Sequence, residues 1–272
     1  QYDPPLAGVQ RQPTVALAAP GADCGDWRTA LRAELSDPSK VSFQGVYPAA
    51  CGERVWPVAA ADPRGFAARA VEGMWRDLGG KLTGSVRDGK VPPGLKPAFV
   101  VTSPALAEVV RDVNKYSNNV MAQQVFLTLA LQKNGAATFD GAREVLRQWW
   151  QARMGDADLP QVDNGAGLSR DARLTAQALA RMLQVAWVSP VMPELVASLP
   201  ITGVDGTLRR SQSRAGTAHL KTGSLRDVMA VAGYVHAASG RRYVLVAVVN
   251  HPNAGAARPV LDSLIDWTAR EQ

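Results

Sequence analysis

The stretch that most constrains this 272-residue chain is Tyr243–Val249, seven consecutive apolar residues in an otherwise mixed sequence. A strand with one wet face alternates apolar and polar side chains, whereas an unbroken run marks a strand covered on both faces. The run is far below the roughly 20 residues that a helix needs to cross a bilayer. It therefore demands a layer of structure on each side of a sheet, and the flanking sequence supplies candidates. Thr217–Leu225 and Val228–Ala237 read as two strands and Arg242–Asn250 as a third, the last two joined across Ser239-Gly240. A closing helix after Pro259 carries Val260, Leu261, Leu264 and Ile265 on one side, suited to cover the sheet.

Upstream the period becomes helical. Asp62-Pro63 predicts a helix start, with an apolar face through Phe66, Ala70 and Met74 and a stop at Gly79-Gly80. A short strand near Leu82–Arg87 follows, then a helix around Ala105–Val113, a break, and a long helix around Asn118–Leu131. Asp140 is predicted to cap a helix with Val145, Leu146, Trp149 and Trp150 on one side, and another helix runs about Ala176–Val188. Residues 1–61 differ in character. Thr29–Leu35, Val41–Tyr47 and Arg54–Val58 read as turn-separated strands of a small β module. Cys24 and Cys51 lie in Gly-flanked turns of this module. A disulfide closing that loop contributes about 3–4 kcal/mol in the chain-entropy picture and implies an oxidising compartment. Two buried thiols of a cytosolic protein are the alternative.

The net charge of +6 comes from scattered arginines without a basic run, and aromatics make up only 6%. Nucleic-acid binding is therefore not expected. Gly84 to Gly89-Lys90 has the spacing of a phosphate loop, but Val91 stands where a hydroxyl is needed, so it reads as a hairpin turn. Gly165-Ala166-Gly167 lacks the third glycine of a dinucleotide fingerprint. His219, His236 and His251 have no metal-ligand spacing, so neither a metal nor a cofactor is expected. Two patterns carry chemistry. Tyr116-Ser117-Asn118-Asn119 sits at the break between two helices, where a serine alone is most often an N-cap. Lys221-Thr222-Gly223-Ser224 sits on the first strand of the sheet, where a lone lysine is usually an edge charge that discourages aggregation. Yet Gly223 lets another backbone approach, Lys221 supplies positive charge, and two hydroxyls can receive a carboxylate, which suits a peptide laid along a sheet edge.

Ser-x-Asn on a helical break, about a hundred residues before Lys-Thr-Gly on a strand, resembles the arrangement of penicillin-interacting serine enzymes. Asp163-Asn164-Gly165-Ala166-Gly167-Leu168-Ser169-Arg170 and the stretch Leu199-Pro200-Ile201 to Asp205-Gly206-Thr207-Leu208 sharpen it. The chain is similar to the class C, type-4 penicillin-binding proteins, which are periplasmic D-alanyl-D-alanine carboxypeptidases/endopeptidases. The resemblance implies an α+β, β-lactamase/transpeptidase-like fold, with an antiparallel sheet covered by helices plus a helical subdomain. Residues 62–272 correspond to the C-terminal part of the penicillin-binding domain, and 1–61 to the end of an accessory β domain. It implies catalytic roles for Ser117, relaying a proton, and Lys221, holding that hydroxyl. Asn119, Thr222, Gly223 and Ser224 become substrate-binding: Asn119 on a peptide amide, Thr222 and Ser224 on the terminal carboxylate. The implied partners are peptidoglycan peptides and β-lactams.

One motif is missing. The nucleophile and its base come as Ser-x-x-Lys in such enzymes. Three residues before the seven lysines stand Asp37, Leu78, Arg87, Pro93, Asp112, Ala130 and Ala218, none of them Ser or Thr. Together with Gln1 at the start and a half-finished β module, this leads to the expectation that the chain is a piece of a longer protein, with the missing segment as a partner and the isolated chain inactive. Two alternatives stand beside that reading: a non-catalytic peptidoglycan-recognition module, and another serine hydrolase such as a β-lactamase or esterase. Without neighbouring strands, the last apolar strand is expected to offer an open edge for self-association.

Overall fold

The computed structural model describes residues 2–12 and 14–271. The expected apolar strand lies at one edge of its main sheet. Strands β1 (Gln10–Arg11) and β2 (Ala16–Leu17) precede helix α1 (Trp27–Leu31), then come β3 (Ala33–Glu34), β4 (Lys40–Phe43), β5 (Val46–Tyr47) and α2 (Phe66–Asp77). Helices α3 (Leu106–Tyr116), α4 (Asn119–Asn134), α5 (Phe139–Met154), α6 (Ala176–Trp187) and α7 (Met192–Ser198) follow. Strands β6 (Ala218–Leu225), β7 (Val228–His236) and β8 (Arg242–Asn250), and helix α8 (Arg258–Ala269), complete the chain. Backbone contacts divide it into two units, Gln1–Val100 and Val101–Gln272.

In the second unit β6, β7 and β8 form an antiparallel sheet in that order, with Lys221 opposite Ala232 and Ala232 opposite Val246. Side chains facing each other across an antiparallel pair share a face, and the two faces have different covers. Leu220, Val231, Val235 and Leu245 pack with Leu261, Ile265 and Ala269 of α8. Tyr234, Val244 and Val246 pack with Leu183, Leu179 and Met182 of α6. Leu245 thus faces one helical layer while Val244 and Val246 face the other, which is why β8 tolerates no polar alternation. At about 1.5–3 kcal/mol for each fully buried aliphatic side chain, this two-sided burial is a main stabiliser of the unit. Burial also pushes the Tyr234 hydroxyl up to about 12, and that hydroxyl donates to the Leu183 carbonyl at 2.8 Å. A helical cluster beside the sheet is held by Phe126, Ala130 and Ala142 between α4 and α5, and by Trp150, Met154 and Ala178 between α5 and α6.

The first unit corrects several expectations. Thr29–Leu35 is no strand: Asp26 caps α1 by accepting from the Thr29 amide, and only Ala33–Glu34 extends. Val41–Tyr47 is broken into β4 and β5 around Gly45, whose φ of 104° is disfavoured for other residues. Arg54–Val58 and Leu82–Arg87 form neither strand nor hairpin. Helix α2 starts at Phe66 rather than at Asp62, with Gly65 as its cap residue; Asp62 makes a cap-like bond, accepting the Gly65 amide at 3.0 Å, but it does so in the turn that precedes the helix. Its buried residues are Ala70 and Gly73, while Phe66 and Met74 are exposed; the backbone of Pro5–Ala7 runs against Gly73, and Ala7 donates to Arg69. Cys24 and Cys51 are disulfide-bonded. A cavity of about 1030 Å³ in this unit is lined by half-exposed Trp27, Phe43, Tyr47 and Trp56.

In the second unit the cap of α5 is Thr138, not Asp140, and Trp149 is exposed whereas Trp150 is buried. Helix α7 was not legible: a seven-residue Pro-containing turn is too short for a clear period. No helix among the described residues is long and apolar enough to cross a membrane.

Candidate active site

Ser117 ends α3 with left-handed backbone, φ 52° and ψ 47°. A non-glycine residue there costs roughly 1–3 kcal/mol and needs its surroundings to hold it. The helix cap expected of a serine is made instead by its neighbour: Asn118 accepts the Met121 amide at 3.1 Å and opens α4. The hydroxyl of Ser117 is therefore free for another partner, which is the ammonium of Lys221. Lys221 Nζ donates to Ser117 Oγ, and also to the Thr222 carbonyl at 3.0 Å. The lysine is not a solvated edge charge. By strand register it shares the face of Ala232, on the α6 side of the sheet, and burial holds its pKa below the ordinary 10.5.

The outer edge of β6 is half covered. Pro200–Thr202 pairs with its first residues: Leu220 donates to Pro200 (2.9 Å) and Thr202 to Ala218 (3.0 Å), with Ile201 bridged to His219. From Lys221 onward, no strand among the described residues pairs with that edge. The open stretch is Lys221–Ser224, where an extended peptide can add main-chain hydrogen bonds. Gly223 lies in this stretch. A Cβ built on it meets only Ala230 Cβ, at 3.5 Å, and no positive φ requires a glycine. The fold itself thus has room for alanine, on the sheet face that residue 223 shares with Ala230 and Lys221. Thr222 donates to Thr207 Oγ1 at 2.8 Å, Ser224 is exposed, and Asn119 is the exposed first residue of α4.

The segment Asp163–Arg170 lies against α4. Asn164 Oδ1 accepts the amides of Ala166 and Gly167 (both 3.0 Å), and Gly165 donates to Gln123 Oε1 (3.0 Å). Hydrogen bonds from Ser169 and Asn164, with Arg143 nearby, hold the Asp163 carboxyl below its usual range. Arg170 pairs with Asp227 at the β6–β7 turn, which ties the segment to the strand bearing Lys221.

Comparison with known proteins decides the family. The profile described as "D-Ala-D-Ala carboxypeptidase 3 (S13) family" matches residues 7–271. This chain belongs to that family. Among curated relatives, a D-alanyl-D-alanine carboxypeptidase of Actinomadura sp. is 28% identical over 181 residues, 62% of this chain and 34% of its own length. A carboxypeptidase of Mycobacterium tuberculosis is 33% identical over 151 residues, 52% of this chain and 32% of its own length. Among solved structures, penicillin binding protein 4 of Haemophilus influenzae, complexed with a β-lactam, aligns with a TM-score of 0.70 at 20% identity. That alignment covers 97% of this chain and 64% of the other, and it shows the shared α+β fold. The matched curated relatives are about three times as long as the part that aligns, since 34% and 32% of them are covered.

Three further residues of this S13 chain lie beside the candidate site; Asp205 falls in the Leu199–Leu208 stretch that carried the resemblance, while Lys115 and Gln123 carried no sequence signal. Lys115 is buried and donates to the Leu199 carbonyl and to Asp205 Oδ2, both at 2.7 Å. Asp205 Oδ1 accepts the Ile201 amide at 2.9 Å. Gln123 supports Gly165 from one helical turn beyond Asn119. A lysine in the last turn of a helix is common for electrostatic reasons, so Lys115 did not stand out.

Proposed function

We propose that the chain is the C-terminal part of a serine-type D-Ala-D-Ala carboxypeptidase/DD-endopeptidase that acts on peptidoglycan stem peptides outside the cytoplasm. Its nucleophile lies on a Ser-x-x-Lys segment not contained in residues 1–272. The observation that carries this reading is the hydrogen bond from Lys221 to Ser117, two groups 104 residues apart in sequence. Family membership and the open β6 edge support it, and the Cys24–Cys51 bond favours an oxidising compartment such as the periplasm.

In this mechanism the substrate's C-terminal peptide lies along Lys221–Ser224. Ser224, and Thr222 once its hydroxyl turns from Thr207, receive the terminal carboxylate, Gly223 admits the backbone, and Asn119 bonds a peptide amide. The nucleophilic serine attacks the carbonyl of the D-Ala–D-Ala bond, the amine leaves, and water releases the acyl group. Ser117 passes a proton toward the leaving amine while the Lys221 ammonium steadies its oxygen. The Ser224 amide supplies one donor of the oxyanion hole, worth about 3 kcal/mol of barrier. β-Lactams enter the same site as acylating agents.

The absence of Ser-x-x-Lys favours a second reading, a peptidoglycan-recognition module that keeps only the carboxylate grip. Two measurements test the pair. A peptide ending in D-Ala-D-Ala is expected to shift the amide resonances of residues 221–224, and a fluorescent penicillin is expected to leave the isolated chain unlabelled. No shift removes both readings, and covalent labelling overturns the placement of the nucleophile elsewhere. A Ser-x-x-Lys motif encoded upstream of Gln1 selects the enzyme over the module.

A further inference from the structure

The functional reading uses Ser117 and Lys221 but leaves unexplained what fixes their separation. They come from different layers, one from a helix end and one from a sheet edge, and Ser117 holds an unfavourable left-handed backbone. Beside them runs the loop Leu199–Leu208, which is attached to both layers. On the sheet side it pairs with β6 through Pro200 and Thr202, and Thr207 accepts from Thr222, the residue after Lys221. On the helix side it is held by Lys115, two residues before Ser117. The buried ammonium of Lys115 bonds the Leu199 carbonyl and Asp205 Oδ2, both at 2.7 Å, so it grips the loop at two points six residues apart. Asp205 returns its second oxygen to the Ile201 amide. Gly206 seats directly on the backbone of Lys115: a Cβ there lies 2.5 Å from the Lys115 carbonyl, and its φ is 54°. The preceding residue, Asn114, donates to Ser198 Oγ at 2.7 Å, which adds a third tie to the end of α7.

We propose that Lys115 and Asp205 are positioning residues of the active site: their ion pair is a strut that sets the left-handed turn at Ser117 against Lys221 on β6. Neither touches the reacting atoms. The strut acts because the last turn of α3 cannot shift without breaking two charge-assisted bonds, and the loop cannot shift without dragging the β6 edge. This inference rests on the Ser117–Lys221 reading, and its test separates the two.

The test follows the Lys221 side chain in the 272-residue protein labelled with ¹³C,¹⁵N-lysine, by its Cε–Nζ resonances across a pH series. Ser117→Ala is expected to move the Lys221 resonance; if it does not, the hydroxyl–ammonium pair fails and the strut with it. Lys115→Met and the near-isosteric Asp205→Asn are each expected to move it as well. Its titration should shift up toward that of the exposed lysines, and protection of its protons from exchange should be lost. Leu146→Ala, which loosens the α4–α5 packing elsewhere, serves as a matched destabilised control whose Lys221 signal stays in place. If Ser117→Ala moves the resonance while Asp205→Asn and Lys115→Met only lower the melting temperature, the pair stands and the strut is overturned. Should Lys115→Met fail to fold, Asp205→Asn alone decides, since it removes the charge and keeps the shape.

Discussion

Ser117 and Lys221 show how a residue's ordinary role can be excluded by its neighbour. Asn118 takes the cap that a serine at a helix break usually makes, and partial burial strips some of the solvation that an edge lysine usually keeps. The consequence for Lys221 is a definite pH dependence. Its folded-state pKa lies below the ordinary 10.5, so in the interval between them the unfolded chain binds more protons than the folded one. Stability contributed through this group therefore rises with pH across that interval, and below it the full cost of burying the charge is present. Urea unfolding of the protein and of Lys221→Met should thus differ by an amount that shifts in favour of the unmodified protein as pH climbs toward 10.5. The difference between the two is the quantity to follow, because Tyr234, pushed up to about 12, titrates in both. A pH-independent difference would refute the assignment of a partly desolvated ammonium. Both residues were legible because each lies in a short pattern of defined chemistry. The pairing of Lys115 with Asp205 was not, although Asp205 lies in a stretch that carried the resemblance, since the pairing spans 90 residues and neither pattern nor period announces it.

At the level of elements, what was legible followed from period and length. Strands β6, β7 and β8 and helices α4, α6 and α8 emerged within a few residues because long amphipathic or continuous apolar runs fix them. In the first unit the strands are two to four residues long, too short for a period, and local side-chain bonds such as Asp26 to Thr29 turned an expected strand into a helix. The β6 edge allows a test that separates folding from recognition. Gly223 has a backbone open to any residue and space for a methyl group, so Gly223→Ala should keep or raise the melting temperature, by up to about 1 kcal/mol of stability. The same change places a Cβ on the sheet face beside Lys221, crowding the edge where the peptide is proposed to lie, so binding of a D-Ala-D-Ala peptide should weaken about tenfold, a loss of roughly 1.4 kcal/mol. Thermal unfolding and the peptide titration are read on the same sample. Unchanged affinity in a folded variant would remove the edge from the proposed site.

At the scale of the whole molecule, the two edges of the main sheet are treated unequally. The β6 edge is closed by Pro200–Thr202 up to Leu220 and carries a half-buried lysine beyond it. The β8 edge has none of the devices that discourage pairing. Its nine residues contain no proline, its register with β7 runs from Asn250 to Arg242 without a bulge, and charge or amide groups appear only at its two ends. Among the described residues no strand pairs with its outer side. Such an edge is a template for another strand, and in a solution of this chain the strand always present is β8 of a second copy. Antiparallel pairing about a two-fold axis near Val246 sets Arg242 against Asn250 and joins two three-stranded sheets into one of six strands. The expected outcome is a concentration-dependent dimer in sedimentation velocity. Val248 is 44% exposed on this strand, so Val248→Lys adds an edge charge at small cost to the fold and should shift the population to monomer. A chain that stays monomeric at high micromolar concentration, with rapid exchange of the outward β8 amides, would show that the open edge is kept from pairing by something other than a partner strand.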